Sequence, residues 1–165
     1  SLYLRRKNHL PMRFLTFLLP LCLMLTFSCK KEQNLSPEEQ LKADIEDIQN
    51  YLKNKGLTAQ STASGLHYII TREGTGDNPT VQSTVVVKYK GYFLNDVVFD
   101  QTPGDKTTEF PLQGVIVGWQ EAIPLLKVGG KGTFFIPSGL AYGQQGKGSV
   151  PPNSPLIFEV ELIDF

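Results

Sequence analysis

Leu156-Ile157-Phe158-Glu159-Val160-Glu161-Leu162 puts Leu156, Phe158, Val160 and Leu162 on one side of an extended chain and Glu159 and Glu161 on the other. A period of two marks a half-buried antiparallel strand. The pattern recurs upstream, where Val85, Val87 and Tyr89 share one face while Val86, Lys88 and Lys90 share the opposite one, so Tyr89 points toward the core. Leu66 to Thr71, Phe110 to Leu112 and Thr133 to Ile136 supply further strands, separated by turns at Gly76-Asp77-Asn78-Pro79, Pro103-Gly104 and Gly129-Gly130. In this part of the chain one stretch alone has a helical period: Trp119, Ala122, Ile123 and Leu126 fall at i, i+3, i+4 and i+7 just after Gly118. Pro124 removes a backbone donor from that helix, which must be short or kinked. One amphipathic helix among about five strands predicts an α+β fold in which a twisted antiparallel sheet curls around the helix, with Trp119 at the mouth of the curl.

Ahead of the strands lies a different kind of sequence. Ser36-Pro37-Glu38-Glu39 reads as a helix start: Ser36 can cap, Pro37 suits the first helical position and Glu39 completes a capping box. Leu41, Ile45, Ile48 and Leu52 form one narrow apolar stripe, and Gly56 is the stop. Such a helix can serve as a dimerisation element or as a spacer lying on the domain behind it; about twenty residues make a weak dimer alone, which favours the spacer. Thr58 to Ser64 is a linker rich in Ser, Thr and Ala, and a domain is expected over 65–165.

The first residues read as a targeting segment. Met12-Arg13 precedes Phe14 to Phe27, an apolar run of 14 residues interrupted by Thr16, Pro20 and Thr26. That is short of the roughly 20 residues of a spanning helix and suits the apolar core of a signal peptide over 12–28. Residues 1–11 fit no signal-peptide layout, and Met12 is the natural start of the segment. Leu25-Thr26-Phe27-Ser28-Cys29 resembles a bacterial lipobox, although Thr26 and Phe27 depart from its usual residues. The resemblance implies acylation of Cys29, a tether and spacer helix over 29–64, and a protein lipid-anchored to a membrane of the bacterial cell envelope. An exported chain left with one free cysteine would invite disulfide exchange, which acylation prevents.

Composition excludes several functions. The 165 residues, 41% hydrophobic and 19% charged, suffice for one domain with a proper core. Formal charge is zero, but 4 of the 16 basic residues precede position 14, leaving 12 basic against 16 acidic, a net charge of −4, on the rest. No basic patch is available for nucleic acid. His67 stands alone beside Leu66, Tyr68 and Ile70 and is expected to face solvent; one histidine cannot build a metal site. Gly143 to Ser149 carries three glycines without the layout of a phosphate-binding loop and reads as a flexible rim.

The order V-x-Y-x-G at Tyr89, V-F-D at Phe99-Asp100, F-x-L at Phe110, V-I-x-G-W from Val115 to Trp119, L-K-V-G, A-Y-G at Tyr142, V-P-P-N and L-I-F-E-V-E-L resembles the FK506-binding family of peptidyl-prolyl cis/trans isomerases (rotamases), over about residues 66–165. The resemblance implies a pocket floored by Trp119 and walled by Tyr89, Phe99, Phe110, Val115, Ile116 and Phe158. It also implies Asp100 at the rim, bonded to Tyr89 or to substrate, a Tyr142 hydroxyl directed at a substrate carbonyl, and the Ile116 N–H holding a second carbonyl. Leu140, Lys147 and Ser149 depart from the family pattern on the outer wall, where Leu140 and Val150 would supply apolar surface. Proline-containing unfolded or exported polypeptides, and macrolides of the FK506 type, are the implied ligands. No cofactor or metal is implied.

The residues themselves leave two activities open. A planar imide is more dipolar than a twisted one, so an apolar pocket favours the rotation transition state over the ground state. This supports a prolyl isomerase assisting the folding of exported proteins. The alternative is a non-catalytic peptide-binding or chaperone module using the same pocket, because a fold does not fix its chemistry. An aspartate next to Phe99 and a tyrosine in a Gly-bounded turn are poorly explained as mere core, since polar tips need a partner or water.

Overall fold

The computed structural model describes residues 35–165. The expected signal peptide at 12–28, the lipidation site Cys29 and residues 1–11 lie outside the described residues. Helix α1, Pro37–Lys55, begins as its sequence dictates: the Glu39 N–H donates to Ser36 Oγ at 3.3 Å, and the Glu39 carboxylate accepts from the Ser36 N–H at 2.9 Å. These reciprocal bonds satisfy two donors that a helix start otherwise leaves unpaired. Gly56, at φ 66°, ends the helix in the left-handed region that a residue with a Cβ avoids.

Seven strands follow, all in one antiparallel sheet: β1 Gln60–Ser61, β2 His67–Arg72, β3 Thr84–Phe93, β4 Val98–Gln101, β5 Thr108–Pro111, β6 Lys131–Ile136 and β7 Leu156–Asp164. Their order is β1-β2-β6-β7-β3-β4, with β5 paired beside β4 along β3. The architecture is the expected α+β arrangement of sheet and short helix, with two strands beyond the five readable from the sequence. β1 is only two residues long, and β4 is an exposed edge opposite a register shift in β3, so neither carries an alternating pattern.

Helix α2, Val117–Ala122, continues into a 3₁₀ turn at Ile123–Leu125, where Pro124 breaks the α-helical ladder. Asn78 Nδ2 donates to the Pro124 and Leu126 carbonyls at 2.9 and 3.0 Å, pairing carbonyls at the end of this helical segment. Trp119, Ala122, Ile123 and Leu126 are buried against Val85, Val87, Phe134, Phe158, Val160 and Leu162 on the concave face of the sheet. Gly118 permits this approach, since a Cβ there would stand 2.4 Å from Ile136 Cγ2.

The convex face is buried too. Ile48 and Leu52 of α1 pack with Phe135 and Ile157, which explains the consecutive apolar residues at the end of β6 and the start of β7. This cover corrects the expectation for His67. The imidazole is buried, on the same face as its register partner Phe135, with Nδ1 2.9 Å from the Gly65 carbonyl. Strand alternation alone assigned that face to solvent, whereas α1 packs on the neighbouring Phe135 and Ile69 of the same face.

Candidate active site

The concave face opens at one end between α2 and the loops that join the strands. β3 projects Tyr89 into this opening, β4 contributes Phe99 and Asp100, β5 Phe110, β7 Phe158, and α2 Trp119. A 3₁₀ turn at Leu112–Gly114 leads to Val115 and Ile116, and the segment between β6 and β7 brings Tyr142 across from the far side. These side chains line a cavity of about 450 Å³, of a size that holds a small ligand.

Its floor is Trp119, 4% exposed. Three rings meet the indole nearly at right angles: Tyr89 at 5.3 Å and 86°, Phe110 at 5.6 Å and 86°, Phe158 at 5.4 Å and 85°. Phe99 continues the wall, edge-on to Phe158 at 5.6 Å. Edge-to-face packing of this kind fixes ring orientation as well as burying area. Gly91, cross-strand from both Asp100 and Phe158, leaves the space that the Phe99 and Phe158 rings occupy.

Asp100, Tyr142 and Lys147 line the cavity as well, while the buried Trp119 indole N–H has no hydrogen-bond partner among the described residues. The Tyr89 hydroxyl donates to Asp100 Oδ2 at 2.7 Å. Burial, and then the hydrogen bond and charge of Asp100, push the Tyr89 phenol well above its ordinary pKa. Tyr142 is raised as well, again by burial first and by the Asp100 charge second. Both phenols are therefore O–H donors throughout the physiological range. The first-turn geometry of α2 directs the Trp119 and Gln120 N–H groups to the Ile116 carbonyl; no acceptor among the described residues meets the Ile116 N–H itself. Lys147 also lines the cavity, with Nζ 5.6 Å from the centre of the Tyr142 ring.

A family model described as FKBP-type peptidyl-prolyl cis-trans isomerase matches residues 76–163. The chain belongs to this family. The FKBP-type isomerase FkpA of Aeromonas hydrophila is 41% identical over 132 residues, 74% of this chain and 49% of the relative, and that of Escherichia coli is 43% identical over 118 residues, 70% of this chain and 43% of the relative. The chain thus spans about half the length of the curated relatives it matches. Among solved structures, a peptidyl-prolyl cis-trans isomerase of Pseudomonas syringae pv. tomato aligns with a TM-score of 0.66 at 33% identity, covering 79% of this chain and 96% of that one. FkpA of Escherichia coli aligns with a TM-score of 0.67 at 34% identity, covering 77% of this chain and 63% of that one.

Within this FKBP-type domain, Tyr89, Phe99, Asp100, Phe110, Val115, Ile116, Trp119, Tyr142 and Phe158 converge on one cavity. Leu140 and Val150, expected on the outer wall, are not part of its lining. Leu140 ends a 3₁₀ turn and packs against the main core, and Val150 is 6% exposed in that same core. Lys147 and Gly114 take lining positions instead. Paired backbone bonds of 2.9 Å between Lys147 and Val150 close the loop, with Lys147 on the cavity and Val150 in the core. The glycine-rich stretch around Lys147 was the available signal, but it has no periodicity to show which side faces inward.

Proposed function

We propose that the protein catalyses cis/trans rotation about X-Pro bonds of unfolded, exported polypeptides while anchored by acylated Cys29 to a membrane of the bacterial cell envelope. The observation that carries the catalytic reading is the Trp119 floor enclosed by edge-on aromatic rings, with Tyr89 and Asp100 hydrogen-bonded to each other at the rim. A proline ring enters this box and the imide leaves water with it. The barrier to rotation, about 18–20 kcal/mol, comes from amide resonance that twisting destroys. Because the planar imide is the more dipolar state, the apolar enclosure raises it relative to the twisted one. The Tyr142 O–H and the Ile116 N–H donate to the carbonyls flanking the bond and hold them while it turns. Asp100 keeps the Tyr89 hydroxyl occupied, so that the wall beside the imide presents a ring and no competing donor. Acceleration on the order of 10⁴-fold requires only about 5.5 kcal/mol, within reach of desolvation and positioning together. Macrolides of the FK506 type would compete for the same box.

Isomerisation of X-Pro-Phe peptides tests the activity: catalysed exchange is expected, and a buffer rate from demonstrably folded protein would remove it. For the anchor, Cys29→Ala should shift the protein from the membrane to the soluble fraction; retention on the membrane would refute acylation at that residue.

A further inference from the structure

Asp44 lies in α1, outside the segment the family model matches, and is 1% exposed. Its Oδ2 accepts from the Ser138 backbone N–H at 2.7 Å and from the Ser138 hydroxyl at 2.6 Å, and its Oδ1 accepts from Gln40 Nε2 at 2.7 Å. No cation within salt-bridge distance accompanies it among the described residues. A carboxylate so far from water is held in place only if its acceptor capacity is met, and here neutral donors meet it. Two of those three bonds converge on one residue in a different part of the chain.

Ser138 begins the segment that delivers Tyr142 to the rim. It opens the 3₁₀ turn Ser138–Leu140, which is closed by bonds from the Leu140 N–H to the Pro137 carbonyl at 2.9 Å and from the Ala141 N–H to the Ser138 carbonyl at 3.0 Å. Tyr142 follows directly. Fixing the backbone and side chain of Ser138 therefore fixes the first residue of a rigid turn whose far end carries the phenol. The opposite end of α1 reaches the other rim, where Tyr51 and Lys55 bond to Asp96 at 2.7 and 2.6 Å in the turn ahead of Phe99 and Asp100. Those contacts are exposed and worth little; the buried bonds at Asp44 carry the connection.

We propose that Asp44 is a positioning residue for the isomerase, acting through Ser138 to set the height of the Tyr142 hydroxyl over the pocket. The proposal rests on the isomerase reading of the site. It is tested by X-Pro-Phe isomerisation with the full chain and its Asp44→Ala, Asp44→Asn, Tyr142→Phe and Asp44→Ala/Tyr142→Phe variants. Asp44→Ala is expected to lower kcat/KM by about tenfold, mainly through kcat, the size of effect of one lost hydrogen bond. Asp44→Asn keeps an oxygen acceptor for Ser138 and should recover most of the loss. In the Tyr142→Phe background Asp44→Ala should change the rate by less than about twofold, because its effect passes through the missing hydroxyl. Equal losses in both backgrounds, or an unchanged rate in folded Asp44→Ala, would overturn the proposal. If Asp44→Ala does not fold, Ser138→Ala decides: it removes only the hydroxyl bond, and a roughly threefold loss that vanishes in Tyr142→Phe supports the connection, whereas no loss refutes it. Should the wild-type protein fail to accelerate exchange, the isomerase reading falls separately. The same cycle is then read as affinity for the peptide through fluorescence of Trp119, the single tryptophan, and an Asp44→Ala affinity equal to wild type overturns the proposal.

Discussion

Replacing Gly91 by alanine should separate activity from stability. On backbone grounds alone the change is favourable, since alanine in a strand loses less conformational freedom on folding than glycine. The local geometry opposes it. The new Cβ would stand 2.8 Å from Phe158 Cε1 and 2.8 Å from Phe99 Cζ, where ordinary contacts begin near 3.4 Å, so a ring must retreat by roughly 0.6–1 Å. Phe158 is 4% exposed and wedged against Trp119, whereas Phe99 is half-buried on an edge strand; Phe99 is the ring that gives way. Overpacking of this size costs about 1–3 kcal/mol, and relaxation toward solvent puts Gly91→Ala at about 1 kcal/mol. A wall displaced by about 1 Å can reduce catalysis by up to 10²-fold. Urea denaturation and X-Pro-Phe isomerisation measured on one preparation test both figures. A folded Gly91→Ala protein with kcat/KM within about twofold of wild type would refute the steric reasoning.

Three further outcomes follow from the packing and charges. Ile48→Ala empties a fully buried position between α1 and the sheet and should cost about 3 kcal/mol in urea; a loss below about 1 kcal/mol would mean α1 contributes little to the fold. Lys147→Glu reverses a rim charge and should lower kcat/KM roughly threefold for peptides with an acidic residue before the proline while raising it for basic ones, an effect that shrinks as salt is added; identical selectivity would remove Lys147 from substrate discrimination. Tyr51 is pushed up to about 12, chiefly by burial and then by its bond to Asp96, and burial also raises Tyr89, Tyr92 and Tyr142. The folded state thus holds these protons more tightly than the unfolded chain, so their contribution is complete below the ordinary value near 10 and is lost as pH rises from there through about 12. The urea midpoint should fall between pH 9 and pH 11.5, with phenolate absorbance appearing largely on unfolding; a midpoint that does not move would contradict the assigned direction.

The features legible in the sequence were those set by neighbours along the chain. Ser36, Pro37, Glu39 and Gly56 define both ends of α1 through local hydrogen bonds, and the i, i+3, i+4, i+7 stripe identifies the buried side of α2. Alternation correctly turns Tyr89 and Phe158 toward the cavity. Whatever depended on a distant covering element was hidden. Nothing adjacent to Phe135 or Ile157 indicates that α1 lies over them, and Asp44 reads as an ordinary polar helix residue until Ser138, 94 positions away, reaches it. The loop from Gly143 to Gly148 failed for a different reason. Gly143, Gly146 and Gly148 all adopt positive φ, so the chain reverses repeatedly and no period relates position to facing; Val150, expected on the outer wall, turns into the core while Lys147 lines the cavity.

The position of β7 between β3 and β6 has a consequence for the order in which a nascent chain can mature. The caps of α1 are local, but its apolar stripe has its full packing surface only once Phe135 and Ile157 have been synthesised. β3 can pair with β4 and β5, and β6 with β2, but the two halves are joined only when Leu156–Asp164 is synthesised, and until Phe158 arrives the cavity lacks a wall. During synthesis, and again during any passage through a secretion channel, the chain therefore carries two apolar strands with unpaired edges. Such edges are templates for aggregation, so a protein built this way would itself depend on being held unfolded until its last strand is free.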